Sequence, residues 1–308
     1  MSLILRCLVA NRISLGQAGT WLGMRIPTRF SNNQILRLAS ACDVPEDWLS
    51  RHLLRVIDAP MTKIWTYMGQ EFIPGPWARD LHGQICPLCL QTSRYCQAAW
   101  SISGFCACPR HGVSLMDRCP RCETPITWDR PDVDICRCRY PFACEPGNLQ
   151  HDLVRAVSWS SWLGSRLNHG SQEHLPPPEL PSWMADLSID GAWRIVQAFG
   201  LLKGPLEVLR QRDLTRLRSP TEICAIVDRG LERLVDFAHS PSWHARLTGV
   251  VHVQGLRRLT ERSPTIADRE VASQLLDMLR HRGRHARGGR LNAVPSQREL
   301  FPLTERDA

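Results

Sequence analysis

Cys86-Pro-Leu-Cys89, Cys108-Pro-Arg-His111-Gly112, Cys119-Pro-Arg-Cys122 and Cys136-Arg-Cys138 follow one another in a single run. The run holds four pairs of metal-ligand side chains, and most of the chain's 13 cysteines lie in or beside it. Zinc takes four thiolate or imidazole ligands in a tetrahedron. One tight Cys-x-x-Cys turn supplies two of them, so two turns close a site. Four pairs predict two structural zinc sites. The spacing assigns Cys86, Cys89, Cys108 and His111 to the first site, and Cys119, Cys122, Cys136 and Cys138 to the second.

Other cysteines compete for these places. Cys106 stands two residues before Cys108 and could replace it. Cys96 and Cys144 are also in range, and Cys144 is an alternative to the unusually tight Cys136-x-Cys138 pair. Cys96, Cys106 and Cys144 are read as small buried hydrophobes. Four protein ligands leave no open position for water or substrate, so both zincs read as structural. Each such site contributes about 10–16 kcal/mol of apparent folding free energy. Trp100, Leu115, Ile126 and Trp128 are the expected small core beneath the turns, and residues 97–103 a short strand or hairpin.

The whole chain sets bounds on this reading. Its 308 residues suffice for two or three small domains, and 43% hydrophobic residues allow a core. The formal charge of +8, carried mostly by arginine, suits an anionic partner such as a nucleic acid. Cysteines clustered in metal-binding turns, with Cys7, Cys42 and Cys224 outside them, favour the reducing cytosol over a disulfide scaffold. The opening ten residues are too short, and the stretch too soon interrupted by Arg6 and Arg12, for a good signal peptide. No apolar run approaches the roughly 20 residues of a membrane span.

Upstream of the cysteines, Ser31 and Gln34 match a capping box, followed by Ile35, Leu38, Ala39 and Cys42 at helical spacing. Asp43-Val-Pro45 ends that helix, and Pro45 opens a second with Trp48, Leu49, Leu53 and Val56 (or Ile57) as its apolar face. The pair reads as a plain helical hairpin or as a helix-turn-helix. In the latter case Arg51 and Arg55, on the polar side of the second helix, would meet phosphates; otherwise they are solvated surface. A further helix around Leu15–Met24 is weakened by Gly16 and Gly19. Pro74-Gly75-Pro76 marks the passage into the zinc region.

Beyond about residue 150 the pattern turns helical. Helices are expected over His151–Leu167, Ala192–Leu202, from the Ser219-Pro220-Thr221-Glu222 capping box through Phe237, and over Thr265–Leu279. Arg280, Arg282, Arg284, Arg287 and Arg290 then alternate with glycine and histidine without an apolar stripe. That composition argues disorder, serving either as a nucleic-acid arm or as a solvated tail.

The cysteine run resembles the TniQ/TnsD family of transposition target-selection proteins. The family's order of a Cys-Pro-x-Cys turn, a Trp, Cys-Pro-x-His-Gly, a Leu, another Cys-Pro-x-Cys and a closing Cys-x-Cys is matched by Cys86–Cys89, Trp100, Cys108–Gly112, Leu115, Cys119–Cys122 and Cys136–Cys138. The likeness covers roughly residues 10–145. Ile13-Ser14-Leu15 and Trp21-Leu22 resemble the family's opening segment without its acidic residue. Glu123 and Arg139 stand where the family has glycine, at positions whose turn geometry favours glycine. The resemblance implies a non-catalytic protein that marks an insertion site and recruits an AAA+ ATPase regulator. Some members bind DNA directly and others ride on an RNA-guided surveillance complex.

The expectation is a mainly α protein with small zinc-stabilised modules. Residues 1–75 form a helical, helix-turn-helix-like part and 76–148 a tandem zinc-finger region. Residues 149–280 form a helical domain and 281–308 a basic tail. The expected function is a target-site selection adaptor in the bacterial cytoplasm, with DNA and the AAA+ regulator as partners; the oligomeric state is open, a homodimer included. The alternative is a zinc-containing DNA-binding transcription regulator. An enzyme fits poorly. A zinc deaminase needs His-x-Glu before its Pro-Cys-x-x-Cys, and His82-Gly83-Gln84 lacks the Glu. His52 and Asp80 read as surface.

Overall fold

The structure, a computed structural model, describes residues 2–59, 62–143, 153–169, 175–205, 207–240, 243, 247 and 249–285. Among them are eleven α-helices and two small antiparallel sheets, so the chain is mainly α, as expected. In order these are α1 (Ser2–Ala10), α2 (Leu15–Trp21), α3 (Asn32–Cys42), α4 (Glu46–His52), β1 (Arg55–Ala59), β2 (Thr62–Tyr67), β3 (Gln70–Phe72) and α5 (Pro87–Thr92). Then come β4 (Ala107–Cys108), β5 (Val113–Ser114), α6 (Val154–His169), α7 (Ile189–Gly200), α8 (Gln211–Thr215), α9 (Pro220–His239), α10 (Val253–Arg262) and α11 (Ile266–His285). Two compact units divide the chain: Met1–Gln172 with Gln211–Ala225, and Glu173–Arg210 with Ile226–Ala308.

The first unit begins with helices whose starts are written in local sequence. The Ser31 N–H donates to the Gln34 side chain at 2.9 Å, which fixes the start of α3. Ser14 and Gln17 make the same reciprocal cap on α2, which forms despite its glycines. Asp43 ends α3 at φ 50°. Such a left-handed residue is tolerated when its short polar side chain can bond locally. Ile4, Phe30, Ile35, Leu38, Leu49 and Leu53 pack as one apolar cluster.

The second helix of the pair is shorter than its apolar spacing suggests. It stops at His52, and Val56 and Ile57 lie on β1. The spacing Leu49, Leu53, Val56 fits a helix, but the β-branched Val56-Ile57 pair also suits a pleated strand, and pairing with β2 decides the matter. Strands β1, β2 and β3 form an antiparallel meander. Its second turn, Met68-Gly69, holds both residues at positive φ (52° and 75°), the conformation a two-residue hairpin turn requires. Trp65 faces Phe72 across the sheet, and Trp77 stacks on Phe72 with centroids 3.7 Å apart. Residues 98–101 form a 3-10 turn, not the expected strand. The hairpin of this region is β4–β5 instead, closed at Gly112.

In the second unit α7 is almost wholly buried. Cβ atoms added at Gly200 and Gly230 would lie 1.9 Å from the Ile226 carbonyl oxygen and 2.4 Å from that of Val196, so both glycines permit close helix crossing. The end of α7 is capped by arginines of α9. Arg233 Nη1 donates to the carbonyls of Phe199 (2.6 Å), Leu202 (2.8 Å) and Val250 (3.0 Å), and Arg229 Nε donates to Gly200 (3.1 Å). Cations there complement the helix dipole. A buried carboxylate joins the other ends: Asp268 accepts from the Ser188 N–H (2.8 Å), the Ser188 hydroxyl (2.6 Å) and the Ser263 hydroxyl (2.7 Å).

Candidate metal centre

The first turn of the cysteine run is built on a helix start. Cys86 caps α5, Pro87 occupies its first position, where a missing N–H costs nothing, and Cys89 lies one turn on. The β4–β5 hairpin brings the second pair. Cys108 sits on β4, the His111 and Gly112 N–H groups both donate to the Cys108 carbonyl, and Gly112 closes the turn at φ 67°. Reciprocal bonds between Ile85 and Met116 (2.9 and 2.8 Å) hold the two turns side by side.

Four ligand atoms converge there. His111 Nδ1 lies 3.4 Å from the sulfurs of Cys86 and Cys89 and 3.5 Å from that of Cys108, and the Cys89 and Cys108 sulfurs are 3.6 Å apart. A tetrahedral zinc with bonds of about 2.3 Å to sulfur and about 2.0–2.1 Å to nitrogen sets edges of about 3.6–3.8 Å. The cluster is close to that size. Crowding shifts the thiols: the hydrogen bond with Cys108 raises the Cys86 thiol and, at its other end, lowers that of Cys108, while burial raises Cys89.

The second cluster repeats the plan without a helix. The Cys119 and Cys138 sulfurs are 3.6 Å apart and those of Cys122 and Cys136 3.8 Å. The Glu123 N–H bonds the Cys119 carbonyl (2.8 Å), and the Arg139 N–H that of Cys136 (2.9 Å). Arg94, just after α5, grips the loop leading into Cys136. Its Nε and Nη2 donate to the two Asp134 carboxylate oxygens (2.9 and 3.0 Å), and Nη2 also reaches Asp132 (2.6 Å). Within each cluster all four ligand atoms lie within 4.8 Å of one another, so each can hold a metal ion. The donor sets, three thiolates with an imidazole and four thiolates, are those of closed tetrahedral sites.

The competing cysteines stand elsewhere. Cys106 is fully buried, and the Cys224 thiol donates to its carbonyl at 3.6 Å. Burial raises the Cys106 thiol well above its ordinary range. Cys96 is buried and accepts from Arg130 Nη2 at 3.5 Å. Cys144 lies outside the described residues. Trp100, Leu115, Ile126 and Trp128 are all buried.

Residues 1–115 match the model of the TniQ family. This stretch is a TniQ domain. It spans α1 to β5 and contains the whole first cluster; the second cluster follows it. TniQ proteins are non-catalytic factors of transposition, and the domain implies a role in choosing the transposition target. A search of curated proteins found no match to the chain.

The candidate phosphate-contacting arginines are dispersed around the TniQ domain and beyond it. Arg51 is exposed near the end of α4. Arg55 is on β1 rather than on that helix, and its Nη2 donates to Asn32 Oδ1 at 2.6 Å. In the second unit, α11 runs on through Arg280, Arg282 and Arg284 to His285, and Arg280 pairs with Asp277 at 3.9 Å. The helix therefore passes the point, Leu279, where the arginine spacing suggested it would stop. Arg287 and Arg290 lie outside the described residues. Of His52 and Asp80, both read as surface, Asp80 lies deeper. His52 stacks on Trp48, and Asp80, its side chain 8% exposed, accepts from Arg29 Nε at 2.5 Å. The sequence also gave no sign of Arg79: its guanidinium is fully buried and donates to Asp117 at 3.2 Å and to the Arg218 carbonyl. Among the described residues no helix is long and apolar enough to cross a membrane.

Proposed function

We propose that the chain is a target-site selection adaptor of a transposon in the bacterial cytoplasm. It binds DNA, or a complex that carries the target DNA, and recruits an AAA+ regulator of the transposase. The observation that carries this reading is the TniQ domain over residues 1–115 with the Cys86–His111 cluster inside it. Cys86, Cys89, Cys108 and His111 hold one zinc, and Cys119, Cys122, Cys136 and Cys138 a second. With all four positions of each ion taken by protein, the metals supply folding free energy and no chemistry. Function then falls to the surfaces that the clusters hold in place. The net charge of +8 suits DNA as one partner, with Arg51 and the arginines from Arg280 onward as candidate phosphate contacts.

The test is reconstitution of the zinc-loaded chain with its cognate ATPase, ATP and target DNA. The adaptor reading expects one assembly containing chain, ATPase and DNA, formed only when the chain is present. Sequence-specific binding to operator DNA with no ATPase retained would favour a transcription regulator and contradict the adaptor.

A further inference from the structure

Inside the first unit, a cavity of about 20 Å³ lies between the TniQ domain's N-terminal elements and its cysteine region. A single water needs at least about 10–15 Å³ of such space. Three of the lining residues carry N–H groups with no hydrogen-bond partner: Arg79 at Nε, and Trp77 and Trp128 at Nε1. All three residues are more than nine-tenths buried, at 0%, 2% and 7% exposure. A buried donor left unmade is costly enough that such groups are nearly always satisfied, by ordered water where protein does not reach. Three residues at the cavity thus each carry a buried donor without an acceptor.

The chemistry of that acceptor follows from the other walls. Asp80 also lines the cavity, and its carboxylate disfavours an anion there. Asp80 and the Ser101 hydroxyl can in turn accept hydrogens. We propose that the cavity is a binding site for one ordered water. Its oxygen accepts from Arg79 Nε and from one indole N–H, and its hydrogens go to acceptors such as Asp80 and Ser101. The water completes the hydrogen bonding of a guanidinium that already holds Asp117, two residues before Cys119, and the carbonyl of Arg218. It thereby helps fix the approach to the second cluster.

A crystal structure of the zinc-loaded full chain, grown in sodium bromide and fine enough to place waters, tests this. The expected result is one peak without bromide anomalous signal, within about 3.2 Å of Arg79 Nε and of one indole nitrogen. A bromide signal in the cavity, or Arg79 Nε bonded directly to a protein acceptor, overturns the proposal. Trp77→Phe and Trp128→Phe provide a second reading, since each keeps the ring and removes the N–H. One of the two should lower the occupancy of the peak by half or more; unchanged occupancy in both variants also overturns it.

Discussion

Glu123 and Arg139 share one conformation: each follows the last cysteine of a turn in the second cluster, and each is left-handed, at φ 56° and 67°. Gly112 takes the same place in the first cluster at φ 67°. Left-handed backbone costs a side chain about 1–2 kcal/mol, while glycine adopts it without that penalty but loses more entropy on folding. Glu123→Gly and Arg139→Gly should therefore each tighten metal binding at the second cluster by about two- to fivefold, a net gain of about 0.5–1 kcal/mol. Competition against a chelator measures this, and affinity at the first cluster should not move.

Arg94 bridges the end of the first turn to the loop before Cys136, with its side chain 61% exposed. Exposed pairs contribute up to about 1 kcal/mol. Arg94→Ala should weaken the second cluster's hold on its ion by up to about fivefold. The loss should shrink in high salt. The same chelator competition reads both.

Asp268 is fully buried, and Gly191 packs so closely that a Cβ there would lie 2.1 Å from its Oδ1. Asp268→Ala strands the donors of Ser188 and Ser263 and should destabilise the second unit by roughly 2–4 kcal/mol. Gly191→Ala should do comparable damage by steric clash. Hydrogen exchange of α7, α10 and α11 should show the loss, with the exchange of α1–α5 unchanged.

Glu222 combines a helix cap with a charge pair. Its carboxylate accepts from the Ser219 N–H at 2.9 Å and from Arg216 Nη2 at 2.5 Å. Arg216 is the chief reason its carboxyl titrates at about 2 instead of 4.5. A lowered folded pKa stabilises above the unfolded value and loses that stabilisation as pH falls through the folded one. Glu222→Gln should thus cost no more than about 1 kcal/mol, because both side chains are nearly half exposed. The cost should be constant from pH 7 to 5 and shrink below about 4.5. Denaturant unfolding of both proteins across that range checks it.

What could be read from sequence was local. The Ser31–Gln34 and Ser219–Glu222 caps lie within four residues, and each cysteine turn is a short-range geometry. Long-range pairing was not legible. Val56 and Ile57 satisfy helical spacing and strand propensity equally, and only β2 decides between them. Arg79, Arg229, Arg233 and Asp268 carry charges of a kind that is normally solvated, and local sequence does not name the carbonyls and hydroxyls, up to 139 residues away, that take them inward. Cys106 precedes β4 and Cys108 lies on it, so their roles separate only once β4 pairs with β5.

Zinc content, counted by native mass spectrometry together with elemental analysis, tests the two-cluster account most directly. Two zincs per chain are expected, two in Cys106→Ser, and loss of the first-cluster ion with unfolding around it in Cys108→Ser. A single zinc in the unmodified chain, or loss of an ion from Cys106→Ser with none from Cys108→Ser, would contradict it.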